Sequence, residues 1–160
     1  MAAHRTSPST ATRVTSLAKF ERLFRAAADL DIDKKDFKRY RDFVNRKMYD
    51  MLIVAEAAAK SNGRDIIEFW DLPITKGLQE RIHEFRAIDQ EIELKPILDY
   101  IASRRPLDLA CSVETEAQLP RIVGGISVAL ARTFKITDPT LKNPQTMQWE
   151  RAIRIFDLLL

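Results

Sequence analysis

The chain has few of the residues that cross-link folded proteins or bind metals. Its 160 residues include one cysteine and two histidines. The lone Cys111 excludes an intramolecular disulfide, and such cysteine usage is typical of a reducing cytosol. No second histidine or cysteine stands at ligand spacing from His83. We therefore expect no metal site and interpret His83 as a surface residue.

Long apolar stretches and catalytic motifs are also missing. No run of about 18 apolar residues is present, and the first residues lack the apolar core of a secretory signal. No phosphate loop or nucleophile–base pair at motif spacing occurs, and the acids Glu114 and Glu116 are interpreted as residues near a helix start. We expect a cytoplasmic protein without a cofactor, a small-molecule substrate, enzymatic activity or contact with a membrane.

The composition instead favours an all-helical chain. Hydrophobic residues make up 46% of the sequence, and only four glycines occur. A long helix is predicted from a cap at Asp33 to Ser61, where Asn62 or Gly63 ends it. At ~1.5 Å per residue it spans roughly 40 Å. Its apolar residues recur at helical spacing: Phe37, Tyr40, Val44, Met48, Met51, Leu52, Ala55, Ala58 and Ala59. Because its second half is apolar nearly all round, a second long helix must cross it.

An extended loop follows the long helix. Ile66 and Ile67 favour a short strand, and a third helix is predicted from near Glu68 to about Ile88. Its predicted buried stripe contains Trp70, Ile74, Leu78, Ile82 and Phe85. Arg64 and Asp71 flank the loop, so we expect them to clamp it with a charge-assisted pair.

The second half of the chain repeats this plan. A helix with its apolar stripe between Leu94 and Ile101 is followed by a long apolar helix, for which Thr115 and Gln118 are predicted to form a capping box. Gly124-Gly125 in the long helix predicts a close approach by another helix. A last helix begins near Thr146 and carries Trp149.

This order of elements, with Gly63-Arg64 before an extended loop and Asp71 after it, resembles the histone fold. It is most similar to single-chain histone-like proteins of bacteria and archaea, in which two histone folds are fused, and the resemblance covers about residues 17–160. It implies an all-α protein of two tandem histone folds packed as an intramolecular handshake pseudo-dimer. The expected ranges are a disordered tail over 1–15, a first fold over 16–90 and a degenerate second fold over 91–160, the two folds forming one compact unit.

Charge is concentrated in the first half. The net charge is +3, and residues 1–90 carry 17 Lys and Arg against 14 Asp and Glu. Seven cations lie between Lys34 and Lys47. The resemblance implies a sequence-nonspecific contact with double-stranded DNA in the nucleoid through helix N-termini and nearby cations. The positions carried over are Arg22, Arg25, Lys34, Lys35, Lys38 and Arg39.

Two alternatives stay open. The cations can form an ordinary solvated helix face. Asp31 and Asp65 also stand where DNA-binding histones place cations. The alternative function is a protein-interaction module that reuses the histone handshake without DNA and self-associates through the apolar end Leu158–Leu160.

Overall fold

The structure is a computed structural model that describes residues 10–88 and 107–160, with side chains from residue 17 onward. Within these ranges the chain is predominantly helical. The elements are α1 (Thr10–Ala28), α2 (Lys34–Ser61), β1 (Ile66–Ile67), α3 (Lys76–Ile88), β2 (Ala110–Cys111), α4 (Val113–Thr137) and α5 (Thr146–Leu159). The all-helical class predicted from composition is confirmed. The helix predicted around Leu94–Ile101 and the junction after Ile88 lie outside the described residues.

The first helix begins earlier than predicted. The sequence predicts Ser16 as the cap of this helix, but the helix starts at Thr10, so Ser16 lies inside it and residues 10–15 of the range predicted as a tail are helical. No glycine or proline occurs between Thr10 and Ala28 to interrupt the helix, whereas Pro8 precedes it. Ile32 in the following loop is buried.

The bounds predicted for α2 are confirmed. Asp33 caps its first turn by accepting hydrogen bonds from the backbone N–H groups of Lys35 and Asp36, and the Asp36 carboxylate accepts in return from the N–H of Asp33. The helix ends at Ser61. Gly63 then takes a φ of +69°, a left-handed conformation that glycine adopts without a steric penalty.

The third helix starts eight residues later than expected. Phe69–Asp71 forms a short 3-10 turn, and Leu72 is extended before Pro73, so α3 begins only at Lys76. Proline disfavours the helical conformation of the residue before it, which explains the break. Trp70 is 72% exposed, so its predicted place in the buried stripe is wrong, whereas Leu78, Ile82 and Phe85 are buried.

The cap predicted for the second long helix is also wrong. Ser112, not Thr115, caps α4 by accepting a hydrogen bond of 3.1 Å from the Thr115 backbone N–H. The Thr115 hydroxyl is buried and donates to the carbonyl of Ile67. β2 pairs in parallel with β1, with Ile66 opposite Ala110 and Ile67 opposite Cys111. The residues before α4 are therefore tied to the loop after α2.

The opposite ends of the long helices are joined in the same way. The backbone N–H of Asp31, before α2, donates to the carbonyl of Lys142, after α4, at 2.7 Å. The helices α2 and α4 therefore run antiparallel. Between them the Tyr40 hydroxyl lies 2.7 Å from the Ser127 hydroxyl in a buried hydrogen bond. No helix within the described ranges is both long and apolar enough to cross a bilayer.

The two adjacent glycines of α4 lie where α3 crosses it. A Cβ atom at Gly124 would collide with the ring of Phe85, and one at Gly125 would lie 2.5 Å from Ile82 Cγ1. The predicted role of these glycines in close helix packing is confirmed. The buried core lies between these helices and includes Phe24, Met48, Leu52, Ile122, Ile126, Phe134 and Trp149.

Candidate nucleic-acid interface

The antiparallel long helices give the molecule two ends. We call one the cationic end; it consists of residues 22–39 and 135–147. We call the other the acidic end; it consists of residues 60–71 and 107–116. The cationic end carries eight Lys and Arg against five Asp, and the acidic end carries two against six Asp and Glu. Since α2 spans 28 residues, the ends are about 40 Å apart.

Three lysines form the exposed part of the cationic end. Lys34, Lys35 and Lys38 lie in the first two turns of α2, and all three side chains are exposed. Among the residues that the structure describes, none of the three is ion-paired. Because Asp33 already accepts from the N–H groups of Lys35 and Asp36 at this helix N-terminus, the attraction for an external anion depends on the three lysine side chains.

The three other predicted contact residues form hydrogen bonds or an ion pair within the protein. The Arg39 guanidinium donates a 2.6 Å hydrogen bond to the Thr146 hydroxyl at the start of α5. On α1, Arg25 lies 3.5 Å from the Asp31 carboxylate, and Arg22 Nε donates to the carbonyl of Ala18. Arg22 and Arg25 remain exposed to solvent. The structure therefore places all six predicted residues at the same end of the molecule.

The run of seven cations between Lys34 and Lys47 does not form one continuous surface. Lys47 is only 2% exposed and forms an ion pair of 2.5 Å with Asp157. Arg46 lies 3.6 Å from the same carboxylate. The Arg41 guanidinium lies over the Phe37 ring at 5.5 Å. Lys34, Lys35 and Lys38 are therefore the exposed lysines of this run without an ion pair among the described residues, since Arg46 and Lys47 contact Asp157 of α5 and Arg41 covers Phe37 of α2 itself.

The second half of the chain contributes cations to this end that the six predicted residues do not include. Lys142 forms an ion pair of 2.5 Å with Asp29, which raises the pKa of the lysine and lowers that of the carboxyl. Lys135 donates to the carbonyl of Leu141. Local sequence places Lys142 in a turn after α4, and only the antiparallel packing brings it beside Asp29.

The predicted clamp is present at the acidic end. The two Arg64 amino groups donate to the two carboxylate oxygens of Asp71 at 2.6 and 2.5 Å. The hydrogen bonds from Arg64 hold the pKa of the Asp71 carboxyl below its usual value, against the opposing effect of burial. The same guanidinium lies 5.8 Å from the exposed Trp70 ring. The clamp fixes the loop that pairs with β2.

Exposed apolar side chains mark the end of α5. Leu158 and Leu159 are 84% and 75% exposed.

No group of three or more His, Cys, Asp or Glu within the described ranges is placed to hold a metal ion.

These features define a helical protein with two antiparallel central helices and opposite charge at its two ends. The chain belongs to the family described as Domain of unknown function (DUF1931), whose model matches residues 20–157. An uncharacterized protein of Aquifex aeolicus (strain VF5) is 30% identical over 117 residues, covering 73% of this chain and 68% of the relative.

Two crystal structures have a fold similar to that of this chain. One, of a protein from Thermus thermophilus, is 56% identical with a TM-score of 0.87 and covers 90% of this chain and 97% of its own. The other, of a protein from Aquifex aeolicus, is 27% identical with a TM-score of 0.75 and covers 89% and 94% of the two chains.

Proposed function

We propose that the chain is an intramolecular pair of histone-like folds that binds double-stranded DNA without sequence preference through its cationic end. The loop after α2 contacts the loop before α4, and the loop after α4 contacts the loop before α2. These contacts are the β1–β2 pairing and the bond from Asp31 N–H to the Lys142 carbonyl. This reciprocal arrangement is what a handshake of two histone folds requires. It supports the proposed kinship.

The observation that carries the DNA-binding proposal is the position of Lys34, Lys35 and Lys38. They are exposed at the N-terminus of α2, and none of them forms an ion pair with an acid in the described part of the chain. DNA phosphates release condensed counterions when such cations bind them, so the affinity falls as salt rises. Contacts of this kind carry no base information, and the binding should be independent of sequence. A protein of this kind would act in the nucleoid.

The salt dependence can be estimated from the number of lysines. Each phosphate contact contributes about −0.9 to the slope of log affinity against log salt. Three contacts would therefore weaken binding about 40-fold between about 50 and 200 mM salt. Six contacts, one for each predicted residue, would weaken it about 2,000-fold over the same interval.

The test is a titration of a fluorescent duplex at several salt concentrations. The variant Lys34→Gln/Lys35→Gln/Lys38→Gln should bind more weakly at low salt, and its slope should be shallower by about 0.9 for each lost contact. The matched control, Lys60→Gln/Lys76→Gln/Arg121→Gln, removes the same net charge away from the cationic end. It should retain the wild-type slope.

Two results would contradict the proposal. One is the absence of duplex binding by the wild-type chain at about 50 mM salt, where electrostatic contacts are strong. The other is an equal loss of binding in both triple variants, which would indicate a general effect of net charge rather than a defined interface.

A second candidate function is a protein-interaction module that does not bind DNA. It is favoured by the exposure of Leu158 and Leu159, because exposed apolar groups next to a folded core are common at interfaces. The variant Leu158→Gln/Leu159→Gln should lose any self-association that the wild-type chain shows at high salt. Unchanged association in that variant would remove this candidate.

A further inference from the structure

A second exposed apolar surface lies at the acidic end. It consists of Ile66, Trp70 and Val113, and we call it the tryptophan face. Ile66 is in β1, Val113 follows β2 by two residues, and Trp70 follows β1 by three residues. Trp70 and Val113 are 72% and 80% exposed, and Ile66 is also exposed. All three residues therefore belong to or closely follow the paired strands β1 and β2.

The exposed tryptophan is held in place. The Arg64 guanidinium lies against its ring and also lies 3.5 Å from the carbonyl of Ile66. Since Arg64 is itself fixed by Asp71, the aromatic ring is supported by a rigid clamp. Tryptophan is one of the residues enriched among those that contribute most of the binding energy at protein interfaces.

The charge around the tryptophan face determines what charge a docking partner must carry. The acidic end carries six Asp and Glu. Its two cations are already paired, Arg64 with Asp71 and Lys60 with Asp108. Asp65 and Glu114 are exposed beside the tryptophan face. A docking partner must therefore be cationic and must offer some apolar surface.

The other end of the same molecule has these properties. Lys34, Lys35 and Lys38 are exposed there. The apolar side chains of Met147, at the start of α5, and Ile136, at the end of α4, are 63% and 79% exposed. The two ends are complementary in charge, and each carries exposed apolar groups. They lie about 40 Å apart, so they cannot meet within one molecule.

We infer that the tryptophan face binds the cationic end of a second copy of this chain, so that the protein associates head to tail. Such a contact uses two different surfaces of each molecule and leaves one of each free, so it can continue into short chains. The association should weaken with salt because the complementary charges are exposed. It does not depend on the proposed DNA binding, although DNA and a second copy would compete for the same lysines.

The experiment is sedimentation velocity of nucleic-acid-free protein at low and high salt. Variant one, Lys34→Glu/Lys35→Glu/Lys38→Glu, makes both ends acidic. Variant two, Asp65→Lys/Glu68→Lys/Glu114→Lys, makes both ends cationic. Each variant alone should associate at least about tenfold more weakly than the wild type, because like charges would then face each other. An equimolar mixture of the two variants should associate again.

Trp70 provides a second readout. Its fluorescence emission should shift to shorter wavelength in the mixture, and Trp70→Ala should weaken the association of the wild-type chain without changing its charge. Far-UV circular dichroism of each variant checks that it is folded. If either charge-reversal variant is unfolded, single reversals at Lys35 and Asp65 repeat the test.

Three results would overturn the inference. They are a wild-type chain that stays monomeric at low salt, a variant mixture that stays monomeric, and an association lost only when Leu158 and Leu159 are made polar. Each of them is measured on the protein without DNA, whereas the duplex titration measures the binding of DNA, so none of them decides the outcome of that titration. The failure of head-to-tail association is thus distinguishable from the failure of DNA binding.

Discussion

The indole nitrogen of Trp149 donates a 2.8 Å hydrogen bond to Oδ1 of Asp36, a residue 113 positions earlier in the chain. Both side chains are buried. The other oxygen of Asp36 accepts from the N–H of Asp33 and so completes the cap of α2. One carboxylate therefore links the start of the first central helix to the last helix of the chain.

This carboxylate gives the first prediction. Burial raises the pKa of Asp36 above its ordinary value of 3.8, although its hydrogen bonds oppose the rise. The folded state then binds the proton more tightly than the unfolded chain. The stabilising contribution is complete below pH 3.8 and is lost as pH rises through the raised pKa.

Urea denaturation at several pH values checks this effect. Asp36→Asn cannot ionise, so the stability of the wild type relative to this variant should fall as pH rises above 3.8. Asp42→Asn, which changes an exposed acid on the same helix, should leave the dependence of stability on pH unchanged. A relative stability that rises with pH would show that the ionised form of Asp36 is the favoured one.

The clamp at Asp71 should show the opposite pH dependence. Hydrogen bonds from Arg64 lower the pKa of Asp71, so its stabilising contribution is present above pH 3.8 and is lost as pH falls through the lowered pKa. Asp71→Asn should reduce the free energy of unfolding by about 1–3 kcal/mol near neutral pH. The difference from the wild type should shrink in acid.

The control for the clamp is Asp65→Asn. Asp65 is exposed in the same loop, so its variant should retain the stability of the wild type at both pH values. Equal losses in the two variants would mean that the net charge of the loop, and not the bidentate pair, stabilises it.

The glycines of α4 provide a prediction about packing. Gly124→Ala would place a methyl group in the Phe85 ring, and we expect a loss of about 1–3 kcal/mol in the free energy of unfolding from overpacking. Gly77→Ala is the matched control, because nothing lies within 4 Å of a Cβ there. It should be neutral or stabilise α3 by up to about 1 kcal/mol. A stabilised Gly124→Ala protein would contradict the close approach.

The ion pair between Lys47 and Asp157 predicts unequal costs for its two halves. Lys47 is buried and donates to Asp157 and to the Leu160 carbonyl. Asp157→Ala leaves the buried Lys47 ammonium without its carboxylate partner. Lys47→Met leaves Asp157 half exposed, where water can hydrogen-bond to it and Arg46 can pair with it. Because Asp157 is half exposed, we expect Asp157→Ala to cost about 1–2 kcal/mol and Lys47→Met to cost less.

Thermal and urea unfolding of both variants measures the difference. Asp50→Ala, which removes an exposed acid from α2, is the control for the loss of one negative charge. If Lys47→Met is less stable than Asp157→Ala, the unpaired buried ammonium is not the more destabilising of the two states, and the prediction is wrong.

Local signals were sufficient to predict α2 and the loop after it. Asp33 caps the helix, Gly63 ends it, and Ile66–Ile67 forms the strand, because each of these effects acts within a few residues. The predicted first residues of α1 and α3 were wrong, since these helices begin at Thr10 and Lys76. In the second case the restriction imposed by Pro73 outweighed the apolar periodicity that runs through Trp70.

The sequence alone determined that the chain is helical, how long its first central helix is and that Arg64 faces Asp71, since neighbours in the chain decide these features. Only the tertiary structure decided which charges are free. Lys34 and Lys47 belong to the same run of cations, yet one is exposed and the other is buried against Asp157, 110 residues away. Exposure depends on which distant helix packs against a position, and helical periodicity within one segment carries no information about that distant helix.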